Sequence, residues 1–326
     1  MNSPERFLAT LNYTPVDHIP YLEEGIRDEV LAAWYNEGLP KNIGLEKYFN
    51  LDSRVEIEPV LDPLPSFDRW PTSIPQLGKF RLHLNENNQS RIPENWDQIL
   101  KTSKDHKQIM ILRVHHGFFL SLGVDDWRRF YEVIYLTRDD PRLIHAMLEI
   151  QGEFAAKMAD KILRKVRVEA ALFSEPIAGN HGPLISPRMY TEFILPSFQA
   201  LFQVLEKHGI KWLIVRTYAN PRALLPVMVK AGFNCLWAVE CPDMAMDYRQ
   251  IRVEFGRDLR LIGGIDLDIL RHGKDAIQRE IMTKIPPLLE SGGYIPLLDG
   301  RVREGISFEN YLYYRQLLQS VSSQME

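Results

Sequence analysis

Residues 170–219 of the chain read AALFSEPIAGNHGPLISPRMYTEFILPSFQALFQVLEKHGIKWLIVRTYA. Both ends of this stretch are apolar runs with the length and composition of strands that are buried on both faces. Between them, Ser186 is a candidate N-cap with Pro187 at the first helical position, and Gly209 ends the helical pattern. The stretch therefore predicts a strand, a helix that is kinked at Pro196, and a second strand.

The same alternation extends over the whole chain. Eight short apolar runs, each followed by a longer segment, are candidate strands: 18–24, 54–60, 109–117, 170–178, 212–219, 235–240, 259–266 and 294–300. Eight alternations without a change in composition predict one α/β domain over residues 1–326, a single (β/α)8 TIM barrel with an N-terminal extension. An open, doubly wound sheet is the alternative that this pattern leaves open.

Residues 66–100 interrupt the alternation. The segment is rich in Pro, Asn and charged residues and contains no long apolar run. Such a long excursion between elements is usually functional. We predict a hairpin or a flap over one end of the barrel.

The composition indicates a globular protein and excludes several classes. The hydrophobic fraction is 45%, the charged fraction 25% and the net charge −4, so the chain lacks the basic surface of a nucleic-acid binder. No apolar run approaches the roughly 18 residues of a membrane span, and the N-terminus does not resemble a signal peptide. Cys235 and Cys241 do not make a disulfide framework. We expect a cytoplasmic protein that contacts neither nucleic acid nor membrane.

Polar residues end the predicted strands. In a (β/α)8 enzyme the substrate site forms where strands end and the following loops begin. The residues at these ends are Glu23, Glu24, Glu58, His115, His116, Glu175, Arg216, Tyr218, Glu240, Asp266, Asp299 and Arg301. We expect their side chains to converge on one rim.

Several of these residues also have structural interpretations. Side chains alternate along a strand, so only one of His115 and His116 is expected to face the barrel interior. Glu175 precedes a proline, and it is alternatively a loop carboxylate with satisfied hydrogen bonds. Arg216 and Glu240 are alternatively a structural ion pair, because a buried arginine needs an anionic partner.

The acidic residues raise the question of a bound metal. Asp266 and Asp268 precede an apolar helix, so one of them is expected to be its N-cap. Zinc needs a tight set of Cys or His ligands, whereas the histidines here are scattered and no cysteine lies near Arg216. Carboxylates alone are a weak signal for a hard cation. We predict no metal ligands.

Five segments resemble the uroporphyrinogen decarboxylase-like superfamily. One has the pattern of an acid, a short loop, ISP, a helix and F-x-x-P, and the others follow the family in order along nearly the whole chain. They are FSEPIAGNHGPLISPRMYTEFILPSFQAL (173–201), ERFLATLNYTPVDHIPY (5–21), DDPRLIHAMLE (139–149), LRLIGGIDLDILRHG (259–273) and SGGYIPLLDGRVREGISFENYLYY (291–314). The resemblance implies a (β/α)8 fold with an active-site cleft at the carboxyl ends of the strands.

The superfamily has two main activities, and the chain departs from the pattern of each. One branch transfers methyl groups to or from corrinoid proteins or thiols, with zinc on a His-x-Cys pair whose positions correspond to Arg216 and Tyr218. A guanidinium stays protonated and cannot ligate zinc, so zinc is not expected. The other branch decarboxylates uroporphyrinogen without a cofactor, using an arginine-rich segment. EEGIRDEV (23–30) stands in that place, and its acids would repel a substrate with many carboxylates.

These departures lead to the function that we predict from the sequence. The chain is expected to be an enzyme of the methyltransferase-like branch that applies acid–base chemistry to a small anionic molecule without a cofactor. The expected substrate-binding residues are Arg216, Asp266, Asp299 and Glu23. The expected residues for proton transfer are Tyr218, the candidate bases Glu175 and Glu240, and the candidate shuttles His115 and His116.

Two alternatives remain open at this stage. One is the cofactor-free decarboxylation of a porphyrinogen-like carboxylate, which is a lyase reaction. The other is a non-catalytic barrel subunit that docks a corrinoid protein or another partner. The sequence is also compatible with a homo-oligomer and does not decide the oligomeric state.

Overall fold

The computed structural model describes residues 1–67, 69–241 and 245–323. Its strands are β1 (Arg54–Ile57), β2 (Ile109–His115), β3 (Ala170–Glu175), β4 (Ala178–Gly179), β5 (Gly182–Pro183), β6 (Trp212–Tyr218), β7 (Cys235–Val239), β8 (Arg260–Ile265) and β9 (Tyr294–Leu298). Its α-helices are α1 (Ser3–Leu11), α2 (Asp28–Glu37), α3 (Leu45–Tyr48), α4 (Leu77–His83), α5 (Trp96–Asp105), α6 (Phe118–Ser121), α7 (Trp127–Asp139), α8 (Pro141–Leu163), α9 (Pro187–Met189), α10 (Leu195–Ser197), α11 (Gln199–Lys207), α12 (Leu225–Lys230), α13 (Tyr248–Phe255), α14 (Lys274–Ser291) and α15 (Phe308–Ser323).

The chain divides into two compact units. The first unit comprises Met1–Arg54, Lys107–Ile109 and Asn234–Glu326, and the second comprises Val55–His106 and Met110–Phe233. The second unit has the strand order β1-β2-β3-β6, in which β3 is parallel to both of its neighbours. The first unit has the order β7-β8-β9, again parallel. Strands alternate with helices in both units, so the predicted α/β class is confirmed.

Seven of the eight predicted strands form within two or three residues of their predicted ends, and the first prediction is wrong. Residues 18–24 contain no strand, and nearby only Ile26 makes a single parallel bridge, to Val302. Pro20 has no N–H for a ladder, and the Tyr21 N–H donates to the Asp52 carboxylate at 2.8 Å. The backbone of this segment is therefore satisfied by a side chain rather than by a neighbouring strand.

The predicted hairpin in residues 66–100 is also wrong, because the described part of this segment is helical. It contains α4, the start of α5 and two short 3₁₀ turns. The segment is organised around Arg91, a fully buried side chain whose guanidinium donates to four backbone carbonyls and stacks over Phe154 at 4.4 Å. A buried arginine at the centre of a loop leaves no pattern in the local sequence.

The predicted helical segment between β3 and β6 is confirmed, and it consists of several short helices in succession rather than one continuous helix. Ser186 Oγ accepts the Met189 N–H at 3.2 Å as its N-cap. After α9 the chain makes a π-helical turn, Tyr190–Ile194, and α10 and α11 follow at the predicted kink near Pro196. Proline cannot donate to the helical ladder, which accounts for the interruption.

An aromatic cluster joins β3 to this helical segment. Phe173 packs on Phe198, Phe202 and Phe233 with ring centroids 5.2, 5.7 and 4.9 Å apart. Each fully buried phenylalanine stabilises the fold by roughly 2–3 kcal/mol. The cluster marks one face of the second unit's sheet as the face that α11 covers. None of the described helices is both long and apolar enough to cross a lipid bilayer.

Candidate active site

The two faces of the second unit's sheet carry different chemistry. Phe173 of β3 contacts Phe198, so its face is the helix side. Because side chains alternate along a strand, Glu175 shares the helix side and Ser174 points to the opposite face. Ser174 is the register partner of Arg216 on β6. Glu175 and Arg216 therefore lie on opposite faces of the sheet, and the structure does not bring these two predicted site residues together.

Arg216 on β6 pairs with a carboxylate on β1, the strand at the opposite edge of this unit's strand order. Its Nη1 donates to Glu56 Oε2 at 2.9 Å and its Nη2 to Glu56 Oε1 at 2.5 Å. The two side chains are only 12% and 14% exposed. Paired parallel hydrogen bonds of this kind fix the guanidinium in position as well as neutralising it. The bidentate partner of Arg216 is thus Glu56, and Glu240, the alternative from the sequence, pairs with Arg303 at 3.5 Å.

Arg113 of β2 lies on the same face as Arg216. It is in register with Leu172, which is two residues from Ser174. Arg113 Nη2 is 3.1 Å from Glu58 Oε2, and these side chains are more exposed, at 30% and 45%. Arg113 is therefore more exposed than Arg216, and its carboxylate partner is more exposed than Glu56.

Tyr218 completes the polar residues on this face. It ends β6 two residues after Arg216, so both side chains point to the same side, and it is half-buried. We call the face with Glu56, Glu58, Arg113, Arg216 and Tyr218 the charged face. It combines two guanidiniums, two carboxylates and a phenol.

Glu175 makes its contacts on the helix side. Its Oε1 accepts the Phe118 N–H at 2.8 Å, and its Oε2 lies 3.3 Å from His115 Nε2. The carboxylate is buried. These contacts fix the turn that follows β2.

His115 and His116 both lie on the helix side, although alternation was expected to separate them. Their rings are nearly parallel, with centroids 6.1 Å apart, and they line one small cavity with Ser121 and Gln151. Alternation fails because the register shifts between Arg113 and His115 and the strand ends at His115. Burial, followed by the charges of His115 and Arg113, lowers the pKa of His116 to about 3. His116 is therefore neutral at physiological pH.

Three predicted site residues meet in the first unit. The Asp299 carboxylate accepts the Leu267 and Cys241 N–H groups at 3.0 Å each, and the Glu240 N–H donates to the Asp299 carbonyl at 2.6 Å. Asp266 accepts the Asp268 N–H at 2.8 Å and is the N-cap that the sequence predicted. Asp299 thereby joins the carboxyl ends of β7, β8 and β9.

Glu23 lies among aromatic residues of the first unit. Its carboxylate accepts the Tyr311 hydroxyl and the Gly25 N–H. Desolvation raises its pKa, while Arg315 and Tyr311 oppose that effect. These contacts tie the N-terminal segment to α15 within the first unit.

Asp299 makes the stability of the protein depend on pH. Burial raises its pKa from 3.8 to about 6, against the lowering effect of its two backbone hydrogen bonds. The folded state therefore keeps this proton between about pH 4 and pH 6, where the unfolded chain has lost it, and stability falls as the pH rises through that window. At about 1.4 kcal/mol per pKa unit, ionisation costs the folded state about 3 kcal/mol.

We expect Asp299→Asn to remove this contribution. Urea denaturation measures the free energy of unfolding of each protein at pH 4.5 and at pH 7. This free energy should fall more between the two pH values in the wild type than in the variant, because all other titrating groups are common to both proteins. Equal losses in the two proteins would contradict the raised pKa.

The residues at the end of β6 do not fit a zinc ion. Both Nη groups of Arg216 donate to Glu56, and a guanidinium has no lone pair to offer. Tyr218 replaces the second expected ligand. Within residues 1–67, 69–241 and 245–323, no group of three or more His, Cys, Asp or Glu side chains is arranged to hold a metal.

Two residues of the charged face were not among the sequence candidates. Glu56 and Arg113 lie inside their predicted strands rather than at the ends. Each is two residues before a candidate, Glu58 and His115 respectively. The alternation of charged and apolar residues in RVEIEPV (54–60) was the available signal, because it places Glu56 and Glu58 on one face.

Comparisons with known proteins agree with this architecture. The model of the family described as "Uroporphyrinogen decarboxylase (URO-D)" matches residues 124–298. A methyltransferase from Methanosarcina mazei is similar in structure, with a TM-score of 0.64 and 14% identity over 100% of this chain and 99% of that one. No curated protein matches the sequence.

Two further solved structures are more distant. A glycosylated endo-β-1,4-xylanase from Gloeophyllum trabeum has a TM-score of 0.43, 10% identity, and coverage of 72% of this chain and 82% of its own. A putative vitamin-B12 independent methionine synthase from Listeria monocytogenes has a TM-score of 0.42, 10% identity, and coverage of 96% and 98%. Neither likeness carries a functional argument. The family model, in contrast, covers more than half of the 326 residues, and the chain therefore belongs to the uroporphyrinogen decarboxylase family.

Proposed function

We propose that this chain is an enzyme that binds a small anionic substrate at the charged face, with Arg113 as the contacting cation and Tyr218 as proton donor. One observation carries the proposal. Two arginines share a sheet face: Arg216 is largely buried and donates both Nη groups to Glu56, whereas Arg113 is more exposed and pairs with the exposed Glu58. Arg216 is thus a fixed positive charge, whereas Arg113 can exchange its carboxylate partner for a bound anion.

The two arginines have different roles in this proposal. Arg216 supplies a rigid guanidinium whose charge Glu56 compensates, so it organises the face. An exposed pair such as Arg113–Glu58 is worth only about 0–1 kcal/mol. A substrate carboxylate can therefore replace Glu58 at little cost and form the paired hydrogen bonds that arginine favours.

Acid–base chemistry is the reaction type that these groups support. In this proposal Tyr218 donates a proton, and Glu58, once displaced from Arg113, accepts one. We assign no substrate contact to Glu175, His115 or His116, which lie on the helix side. The reaction that we propose is a proton transfer to or from the bound anion, in a member of the methyltransferase-like branch that does not use zinc. Cofactor-free decarboxylation is the alternative, in which Tyr218 would protonate the carbon that loses CO2; release of CO2 from the substrate would distinguish it.

Titration calorimetry with small carboxylates tests the anion site. We expect acetate, propionate or succinate to bind and the matching primary amides not to bind. Arg113→Gln should weaken carboxylate binding at least about tenfold, which corresponds to 1.4 kcal/mol. Glu58→Gln should strengthen binding several-fold, because it removes the internal competitor while keeping the shape of the side chain.

Arg81→Gln is the matched control, since Arg81 is also an exposed arginine that pairs with a glutamate, Glu153, at 2.7 Å, but lies on α4 outside the charged face. It should leave carboxylate binding unchanged. Unaltered binding in Arg113→Gln, or weaker binding in Glu58→Gln, would contradict the proposed site. Saturable capture of a corrinoid protein without any carboxylate binding would favour the docking alternative.

A further inference from the structure

A large cavity lies at the amino end of β9 in the first unit. Its volume is about 680 Å³, within the range of roughly 300–1,000 Å³ that small-molecule sites occupy. Its lining comes from the end of α1 and the segment after it, the turn between α14 and β9, α15, and Arg257 after α13. All of these residues belong to the first unit, and none belongs to the charged face. We call this space the amino-end cavity.

Tyr13 forms one wall of the amino-end cavity and is held in place by its neighbours. Its backbone is in the left-handed region, with φ 58°. Its ring lies so close to the turn before β9 that a Cβ added at Gly293 would be 2.5 Å from it. Arg252 donates to the Tyr13 hydroxyl at 2.9 Å and to the Gly292 carbonyl at 3.0 Å. Left-handed backbone at a residue other than glycine is costly, and such strain is concentrated at ligand sites.

Arg257 is a cation of the lining with unused hydrogen-bond donors. Its guanidinium lies over the Tyr13 ring at 4.7 Å, and among the described residues it makes no hydrogen bond and no ion pair. Arg252, beside the same ring, instead donates to four backbone carbonyls. An arginine that stacks on an aromatic ring keeps its planar fork of N–H groups free for an anion. The cavity therefore offers one oriented positive charge.

The rest of the lining is apolar or has its hydroxyl protons in use. The apolar surface comes from the tyrosine rings and from Pro15, Val16, Ile19 and Leu289. The hydroxyl groups donate to backbone carbonyls of their own segments, at Thr10, Thr14, Ser291 and Ser322. A ligand of this cavity therefore gains mainly from burying apolar surface, and its charged group has Arg257 to bind.

We propose that the amino-end cavity binds an organic monocarboxylate with an aliphatic or aromatic body, whose carboxylate pairs with Arg257. One free guanidinium matches one carboxylate in paired hydrogen bonds. Glu290 is the carboxylate of the lining and is exposed, so its charge is screened but still opposes an anion. A single negative charge on the ligand therefore fits better than two. This site is independent of the substrate site on the charged face.

Titration calorimetry with hydrocinnamate tests the site. The full chain is used as Arg113→Gln, so that the carboxylate does not bind at the charged face. We expect hydrocinnamate to bind and phenethylamine not to bind. Adding Arg257→Gln should weaken hydrocinnamate binding at least about tenfold, because the charge and the donor fork are lost. Adding Glu290→Gln should strengthen binding about two- to threefold, because a like charge is removed.

Arg279→Gln is the matched control, because Arg279 is an exposed arginine on α14 that does not line the cavity. It should leave hydrocinnamate binding unchanged, and unchanged thermal unfolding would show that each variant is folded. Hydrocinnamate binding that is already lost in Arg113→Gln, or that survives Arg257→Gln, would overturn this inference without touching the proposed function. Acetate binding to the wild type and to Arg257→Gln should be equal, whereas loss of acetate binding in Arg257→Gln would contradict two independent sites.

Discussion

Replacing Glu56 by alanine is expected to lower the free energy of unfolding by about 3–5 kcal/mol. The substitution leaves the Arg216 guanidinium on a largely buried site without the carboxylate that receives both of its Nη groups. The loss of the carboxylate then costs more than the intact pair contributes, because the remaining charge is desolvated and has lost both of its hydrogen bonds to Glu56. Urea denaturation followed by circular dichroism measures the difference.

Glu58→Ala is the matched control for this prediction. Glu58 is also a glutamate paired with an arginine on the charged face, but its side chain is 45% exposed. Its replacement should cost no more than about 1 kcal/mol. The double variant Glu56→Met/Arg216→Met should recover most of the loss, because it removes both charges. Equal effects at positions 56 and 58 would show that the Arg216–Glu56 pair is not buried as described.

Replacing Gly152 by alanine is expected to destabilise the protein by about 3 kcal/mol or more. An added Cβ would lie 2.0 Å from the Ser197 carbonyl oxygen, which belongs to the backbone of α10 and cannot rotate away. The helix α8 approaches α10 closely at this glycine, so the substitution has to push the two helices apart. The midpoint of urea denaturation reports the change.

Gly78→Ala provides the comparison within a helix. Gly78 lies in α4 and has no atom within 4 Å of an added Cβ. Alanine should be neutral there or stabilise the protein by up to about 1 kcal/mol, through its higher helix propensity. A Gly152→Ala variant as stable as Gly78→Ala would mean that α8 and α10 are not in contact at this point.

The sequence predicted the strands well because each is a continuous apolar run that parallel packing buries on both faces. The runs at 109–117 and 170–178 became β2 and β3 with their starts unchanged. The run at 18–24 looks alike, yet it is not a strand, because Pro20 removes a donor and Asp52 takes the Tyr21 N–H. Whether an apolar run joins a sheet thus depends on residues that are distant in sequence and compete for its backbone hydrogen bonds.

The candidate site was harder to predict, because its pairings join residues that are distant in sequence. Glu56 and Arg216 are 160 residues apart, and no local pattern connects them. The side on which His115 lies is set by a register shift in β2, which sequence alternation cannot show. Arg216 and Tyr218 could be found from the sequence, because they stand where the resemblance places metal ligands.

In the proposed function, the charged face binds an anion through Arg113, and Arg216 and Tyr218 at the end of β6 hold no metal. The most direct test is to incubate the chain with zinc, dialyse it, and measure bound zinc by mass spectrometry before and after addition of a chelator. We predict substoichiometric zinc and unchanged carboxylate binding in both samples. One zinc per chain, with carboxylate binding lost when the chelator removes it, would contradict an anion site without metal.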